Sequence, residues 1–223
     1  MKLYSGPLSL FSRKVEIALH EKGLSFEREM VPFSQAKGYQ PKHPAVIAAN
    51  PKQQVPVLVD GDLVLFDSTL LFEYLEDAYP EPPLFPEGAP ERARCRLFDL
   101  TADEILLPLI RSFMHRSEPP NPDPERRRAQ EAAAAEAGLA LLSHYDKLQA
   151  ELGRRDFFCG RLSCADIALF MSILFIQRLK GPRLDGHPGL SAWYARLLAR
   201  PAFAGVAGEI AAADRELSPA LQS

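Results

Sequence analysis

The chain has 223 residues, a formal net charge of -3 at pH 7, 47% hydrophobic residues and 25% charged residues. This composition is typical of a globular protein with a large core, and it excludes a chain that is disordered throughout. Because the net charge is slightly negative, it gives no general attraction to nucleic acid or to acidic membranes. We find no signal-peptide core and no apolar run long enough to cross a bilayer, so we expect no membrane anchor.

The chain contains three cysteines, Cys95, Cys159 and Cys164. Their number is odd and their spacing is not that of a metal site, which favours free thiols in a reducing cytoplasm. The histidines are scattered along the chain, so we expect no metal site.

Residues 1–80 alternate between strand and helix patterns, and we predict the order β-α-β-α-β-β-α. The predicted elements are a strand at Lys2 to Ser5, a helix at about Leu10 to Lys22, a strand at Phe26 to Val31, a short helix near 45–47, strands at Val55 to Val59 and Leu63 to Phe66, and a helix at Ser68 to Tyr79. The first half is a βαβ unit and the second a hairpin with a helix, so a mixed four-stranded sheet follows.

Residues 81–90 are dense in proline and predict a linker, which places a first domain at 1–80 and a second at 91–223. The second domain shows helix patterns alone, so the fold class is α/β plus all-α. Its predicted helices cover 91–115 with an interruption at Pro108, 125–152, 167–179, 191–198 and 203–213. The helix at 167–179 is apolar on all sides, which is typical of a buried central helix.

A capping box precedes this central helix. Its residues are Ser163, Cys164, Ala165 and Asp166. The Ser163 hydroxyl can accept from the amide three residues on, and the Asp166 carboxylate can reach back. Because a carboxylate at a helix start is more often a cap than a catalytic group, we interpret Asp166 as a cap. Removing such a cap costs about 1 kcal/mol, so Asp166 matters for folding.

One stretch of the first domain departs from an ordinary hairpin. Pro56 stands at the entrance of a predicted strand, where its missing N–H weakens the ladder. A cis Val55–Pro56 bond would turn the backbone groups of Val55 outward, free to bind another molecule. Asp67 and Ser68 then begin a helix whose free amides form an anion site. This combination suits a small peptide with a carboxylate; the alternative is an ordinary hairpin with a trans proline at an edge.

These and other motifs, in this order and at this spacing, resemble the cytosolic glutathione S-transferase superfamily, in particular its bacterial, serine-type members. The matching segments are Leu3-Tyr4-Ser5, Ser9 to Val15, Asn50-Pro51 with Gln54 to Leu58, Asp67-Ser68 with Tyr74-Leu75, Ser163 to Asp166, and Trp193-Tyr194 followed by Arg200-Pro201. The resemblance covers nearly the whole chain. It implies a thioredoxin-like N-terminal domain, glutathione as co-substrate, and a homodimer with Phe66 and the hairpin edge as candidate contacts.

The resemblance also implies roles for five residues that would hold glutathione. Val55 would pair its backbone with the cysteinyl portion, and Asp67 with Ser68 would hold the γ-glutamyl end. Gln54 and Lys42 would face the glycyl carboxylate. These roles agree with elementary chemistry, since a hydroxyl and helix amides suit a carboxylate while Asp suits an ammonium group.

Ser9 occupies the position of the catalytic hydroxyl in the serine-type classes, so the resemblance implies that it stabilises the glutathione thiolate. Lowering a thiol pKa by about two units needs about 2.7 kcal/mol. A hydrogen bond to a charged sulfur contributes about 1.5–3 kcal/mol and a helix N-terminus about 0.3–1 kcal/mol, so one hydroxyl is enough. A serine at a helix start is also typical of an N-cap, and Ser9 can cap the helix and stabilise the thiolate at the same time. Ser12 and Tyr4 are the alternatives.

Three residues depart from the family pattern. Leu10 stands where many classes have proline, Asp67 replaces the more usual Glu, and Gln53 replaces a frequent glycine. The class within the superfamily therefore stays open.

The expected activity is conjugation of the glutathione thiolate to a small, partly apolar electrophile, as in detoxification. We expect helix 91–115 to contact this second substrate through Arg111, Met114 and His115. The alternatives are a glutathione-dependent isomerase or lyase, and a non-catalytic binding or regulatory protein of the same fold. The sequence does not name the electrophile.

Overall fold

The computed structural model describes residues 1–222. The chain divides into two compact units. The first contains Met1–Phe85 and Pro201–Leu217, and the second contains Pro86–Arg200 together with residues 218–222. The helices and strands are β1 (Lys2–Ser5), α1 (Leu10–Glu21), β2 (Glu27–Met30), α2 (Pro44–Ala49), β3 (Val57–Asp60), β4 (Leu63–Phe66), α3 (Ser68–Ala78), α4 (Ala89–Leu100), α5 (Leu107–Arg111), α6 (Pro124–Leu152), α7 (Cys164–Arg178), α8 (Pro188–Leu198) and α9 (Pro201–Leu217).

The first unit is built on a four-stranded sheet in the order β2-β1-β3-β4. β1 and β2 are parallel, while β3 runs antiparallel to both β1 and β4. The mixed sheet and the element order confirm the predicted fold class, a thioredoxin-like domain followed by helices. The apolar residues on one face of α1, such as Val15, Ala18 and Leu19, are fully buried, as their helical spacing predicts.

The last helix, α9, packs with the first unit, although its pattern alone placed it in the helical domain. The apolar face of α9 is buried, and a network of four charged side chains also joins this helix to α1 and β2. Arg13 on α1 lies 2.7 Å from both Glu16 and Glu209, and Arg28 on β2 lies 2.9 Å and 2.6 Å from the same two carboxylates. Arg13 and Glu16 are almost fully buried, and an unpaired charge at that depth would be costly. The carboxylates of Glu16 and Glu209 therefore stabilise the buried guanidinium of Arg13.

A buried lysine also extends the first unit beyond the predicted boundary at residue 80. Lys22 Nζ lies 2.9 Å from Glu76 and donates to the carbonyls of Tyr79 at 2.8 Å and Pro82 at 3.0 Å. Glu76 in turn accepts from the amide of Leu84 at 2.9 Å. These bonds hold the proline-rich segment against α1 and α3.

The second unit is helical in its described part. The pattern predicted one helix at 91–115 interrupted at Pro108, which is wrong in detail. The chain forms α4, then a π-helical segment at Thr101–Leu106, then α5, and then a 3₁₀ turn at Met114–Ser117. Pro108 lies in the first turn of α5, where a missing N–H is tolerated, so the irregular segment precedes the proline.

The central helix α7 is buried along almost its whole length, as its apolar sequence predicts. Both halves of the predicted capping box are present at its start. Asp166 is fully buried and accepts from the amides of Ser163 and Phe158, both at 3.0 Å, and from Trp193 Nε1 at 2.9 Å. The capping residue therefore also joins α8 and the loop before α7. Within residues 1–222, no helix has the length and hydropathy of a membrane span.

Candidate functional site

The sheet register brings the predicted site segments to one end of the sheet. Tyr4 on β1 is opposite Val57 on β3, and Val57 is opposite Phe66 on β4. The end of β1, the start of β3 and the end of β4 therefore lie side by side. The loop to Ser9, the Val55–Pro56 bond and the start of α3 all leave from this edge, which we call the Pro56 end of the sheet.

Ser9 is the N-cap of α1, with φ -91° and ψ 109°. Its Oγ accepts from the amide of Ser12 at 3.3 Å, a long hydrogen bond. The side chain is only half-buried. Its hydroxyl donates to none of residues 1–222, so the proton is available to a ligand.

The two alternative residues have other contacts. Ser12 is fully buried, and its Oγ accepts from the amide of Gly6 at 3.1 Å. Tyr4 is half-buried against the cluster of Val31, Val46 and Val57, and its ring lies 5.2 Å from that of His43. Both groups are engaged in packing the first unit, whereas the Ser9 hydroxyl is not.

The segment before β3 presents unpaired backbone groups. The Val55–Pro56 peptide bond is cis, as expected from the sequence. Within the described chain, the amide and carbonyl of Val55 form no hydrogen bond. The preceding loop is fixed by buried Asn50, whose Nδ2 donates to the carbonyl of Gln54 at 2.7 Å and whose Oδ1 accepts from the amide of Lys52 at 2.9 Å. We assigned Asn50 no role from the sequence, although an Asn before a proline is a common turn signal.

Asp67 caps α3 from a left-handed backbone conformation. Its φ is 80°, and its carboxylate accepts from the amides of Thr69 at 3.2 Å and Leu70 at 3.4 Å. Gln53, at the same end of the sheet, has a φ of 53°. Positive φ in residues other than glycine is uncommon and tends to occur at functional sites, where the surrounding structure enforces it.

Other polar groups lie beside this helix start. Ser68 is buried, and its side chain forms no hydrogen bond with residues 1–222. Lys52 is exposed, with its Nζ 3.8 Å from the Asp67 carboxylate, and no motif of the sequence predicts this contact. Gln54 is exposed, and Lys42 is half-buried in the loop that follows β2. Lys42 has no ion pair among the described residues. The Pro56 end thus offers two hydroxyls, a carboxylate, two ammonium groups and the unpaired backbone groups of Val55.

The predicted second-substrate residues lie in the helical unit. Arg111 ends α5 and is exposed. His115 is engaged: its Nδ1 lies 3.0 Å from the carbonyl of Ser112, and its Nε2 lies 2.7 Å from Glu131. Among residues 1–222, no group of three His, Cys, Asp or Glu side chains is arranged to hold a metal ion.

Comparison with known proteins decides the family. The model for the glutathione S-transferase N-terminal domain matches residues 3–83, and the model for the C-terminal domain matches residues 97–201. The chain belongs to the glutathione S-transferase family. The two matched segments follow one another in the order expected of this family and together cover most of the sequence.

Relatives within this family carry several names. A stringent starvation protein A homolog from Coxiella burnetii is 39% identical over 117 residues, and the chain spans only about half the length of that relative, 49%. The match covers 52% of this chain. A probable maleylacetoacetate isomerase from Vibrio cholerae is 31% identical over 211 residues, covering 93% of this chain and 95% of that protein. A solved glutathione S-transferase from Methylobacterium radiotolerans, in complex with glutathione sulfonate, is 26% identical with a TM-score of 0.70, covering 92% of this chain and 93% of its own.

Proposed function

We propose that this protein is a serine-type glutathione transferase that binds glutathione at the Pro56 end of the sheet and stabilises its thiolate with Ser9. The observation that carries the proposal is the placement of an unengaged Ser9 hydroxyl on the same sheet edge as the unpaired Val55 backbone and the start of α3. A family relative is solved in complex with glutathione sulfonate, which supports glutathione as the ligand class.

The polar groups at this edge match the ends of the tripeptide. The Ser68 amide and hydroxyl at the start of α3 suit the γ-glutamyl carboxylate, since helix N-termini favour anions and the next two amides already donate to Asp67. Asp67 suits the γ-glutamyl ammonium group, while Val55 pairs its backbone with the cysteinyl residue. Gln54 and Lys42 are assigned to the glycyl carboxylate. Lys52, close to Asp67, is a further cation for either carboxylate.

The chemistry needs little beyond a lowered thiol pKa. Free cysteine thiols have a pKa of about 8.5, so only a few per cent is thiolate at neutral pH. The Ser9 hydroxyl donates to the sulfur, and the N-terminus of α1 adds a partial positive charge. The thiol proton passes to solvent. The sulfur lone pair then forms a carbon–sulfur bond while the leaving group departs with its bonding pair, and proximity of the bound reactants supplies much of the rate.

We assign the electrophile to a small, partly apolar molecule, with Arg111 and His115 as its predicted contacts. Cytoplasmic location and a role in detoxification are part of the same proposal. So is a homodimer, for which the predicted contacts are Phe66 and the hairpin edge formed by β4. Phe66 packs against the Val57 cluster, whereas Leu63 and Val64 on the same strand are 42% and 46% exposed and are better placed for a partner.

Two other functions have support from individual relatives. The Vibrio cholerae relative, matched over most of both chains, is named as a probable isomerase, and the same thiolate serves an isomerase that regenerates glutathione. The Coxiella burnetii relative is named for starvation and not for a reaction, which keeps a binding or regulatory role open.

Glutathione consumption separates these functions. The protein is incubated with glutathione and either an activated aryl chloride or a cis-unsaturated dicarboxylic acid, and both glutathione and product are measured. The transferase proposal expects one glutathione consumed for each product formed from the aryl chloride. Product formation with glutathione unchanged would favour the isomerase, and bound glutathione without any product would favour the regulatory role.

A further inference from the structure

Gly6 lies in the turn that leads from β1 to Ser9. The Ser9 amide donates to the Gly6 carbonyl at 3.1 Å, and the Gly6 amide donates to the buried Ser12 Oγ at 3.1 Å. The Ser12 amide in turn donates to Ser9 Oγ at 3.3 Å. The position of the Ser9 hydroxyl oxygen therefore depends on the backbone of this turn.

The glycine at position 6 has a steric reason and not a conformational one. Its φ lies outside the left-handed region, in which glycine is favoured. A Cβ at Gly6, however, would lie 2.7 Å from both Cε1 and Cζ of Tyr39, and closer still to the Tyr39 hydroxyl oxygen. Carbon atoms in ordinary contact are about 3.5–4.0 Å apart. The end of the Tyr39 ring thus rests directly on the backbone of the Ser9 turn, where a larger residue than glycine leaves no room for it.

Tyr39 is itself anchored at the Pro56 end of the sheet. It belongs to segment 31–43, which joins β2 to α2. Its ring lies 4.8 Å from that of Phe33 and packs against the Val57 cluster. Val55 packs against the same cluster. Tyr39 therefore contacts both the turn that carries Ser9 and the apolar cluster that supports Val55.

We propose that Tyr39 is a positioning residue for the transferase reaction, whose ring holds the Gly6 turn in the conformation that directs the Ser9 hydroxyl to the glutathione sulfur. The inference rests on the proposed function of Ser9 and adds to it a residue that no motif of the sequence marks. A hydrogen bond weakens steeply as its angle falls from about 150° to about 120°. If the ring is removed, Ser9 stays at the start of α1, but its turn shifts and its bond to the sulfur weakens.

Hydrogen exchange in the free protein tests the packing without glutathione. NMR follows the amides of Ser9 and Ser12, which both donate within the turn. We expect exchange to be about tenfold faster in Tyr39→Ala, because a turn that has lost its packing opens more often, and to return to the wild-type rate in Tyr39→Phe, which keeps the ring. Phe26→Ala is the matched control, since it truncates a half-buried ring that contacts His20 instead. Unchanged exchange in Tyr39→Ala, or equally fast exchange in Phe26→Ala, would overturn the packing role.

The thiol pKa of bound glutathione tests the consequence for Ser9. Tyr39→Ala should raise this pKa by about one unit and cut turnover about tenfold, since one unit changes the thiolate fraction tenfold, and Tyr39→Phe should restore both. Gly6→Ala should give the same loss because it displaces the ring.

The double variant Gly6→Ala/Tyr39→Ala decides whether the two residues act through one contact. It should lose no more than either single variant, because both remove the same contact. Additive losses, or an unchanged thiol pKa in Tyr39→Ala, would overturn the positioning role. A wild-type complex whose thiol titrates as in free glutathione would overturn the proposed function of Ser9 and this role with it, a result distinct from unchanged exchange in Tyr39→Ala.

Discussion

Ser9 and Ser163 have the same local role in two different units, since each is the N-cap of a helix. Ser163 is fully buried, and its hydroxyl donates to Asp166 at 2.9 Å. Ser9 is half-buried, accepts one long bond, and donates to no described residue. One hydroxyl thus donates to a carboxylate inside the protein, whereas the other has no acceptor among the described residues. A serine cap becomes a candidate catalytic group when its proton is left without an internal acceptor.

The largest expected effect concerns Asp166, which accepts the hydrogen bond from the Ser163 hydroxyl. Asp166→Ala would leave the amides of Ser163 and Phe158 and the Trp193 indole without their acceptor, all of them buried. We expect a loss of about 3–5 kcal/mol in the free energy of unfolding, because each orphaned buried donor costs about 1–3 kcal/mol. Urea unfolding measures it. Asp185→Ala, at a carboxylate that is 76% exposed, is the matched control and should change little.

The next effect concerns Ser9, whose hydroxyl donates to no described residue. Ser9→Ala should cut turnover by about ten- to a hundredfold, the equivalent of one hydrogen bond to a charged sulfur, and cost about 1 kcal/mol of stability. Ser9→Asp separates the two roles, since Asp caps a helix as well as Ser does but offers an acceptor in place of a donor. It should keep stability and lose turnover. Near-wild-type turnover in Ser9→Ala would remove Ser9 from catalysis and leave Ser12 or Tyr4.

Ser163→Ala should have a smaller effect on stability than Asp166→Ala. It removes one hydroxyl, while the amides of Ser163 and Phe158 and the Trp193 indole still reach Asp166. We expect a loss of about 1–2 kcal/mol, measured by urea unfolding beside Ser143→Ala on the exposed side of α6. A loss as large as that of Asp166→Ala would mean that the hydroxyl, and not the carboxylate, holds the cap together.

The smallest effect concerns Glu131, a carboxylate that forms ion pairs with Arg116 and His115. Arg116 and His115, in that order, lower the pKa of Glu131 to about 2 from an ordinary value of 4.5. A depressed carboxylate pKa contributes stability above 4.5 that is lost as pH falls from there towards 2. Because Glu131 is 54% exposed, solvent screening should keep this below about 1 kcal/mol. Glu131→Gln should therefore flatten part of the acid-unfolding profile; an unchanged profile would show that the ion pair contributes nothing.

The sequence predicted the parts of the fold that depend on local pattern. The hairpin strand Leu63–Phe66, the start of α3 at Ser68 and the box at Ser163 follow from alternation, capping chemistry and turn residues. The packing of α9 with the first unit was not predictable, because its buried face and the ion pairs of Glu209 with Arg13 and Arg28 join segments far apart in the sequence. The π-helical segment before Pro108 was missed because a proline is the stronger local signal.

The residues of the candidate site likewise fall into those that local motifs predict and those that they do not. Val55, Asp67, Ser68 and Ser9 are in motifs, so their positions relative to strands and helices could be read from the order of elements. The left-handed backbone conformations of Gln53 and Asp67 could not be predicted, because the usual sequence signal for a positive φ is a glycine and neither residue is one. The proximity of Lys52 to Asp67 depends on how the loop folds back, which spacing along the chain does not define.

The thiol pKa of bound glutathione tests the central proposal most directly. Ultraviolet absorbance of the thiolate is followed against pH for glutathione bound to the wild type and to Ser9→Ala. We expect the wild type to lower the thiol pKa by about two units, and Ser9→Ala to restore about one to two of them. A wild-type complex in which glutathione is bound but its thiol titrates as in solution would contradict the proposal.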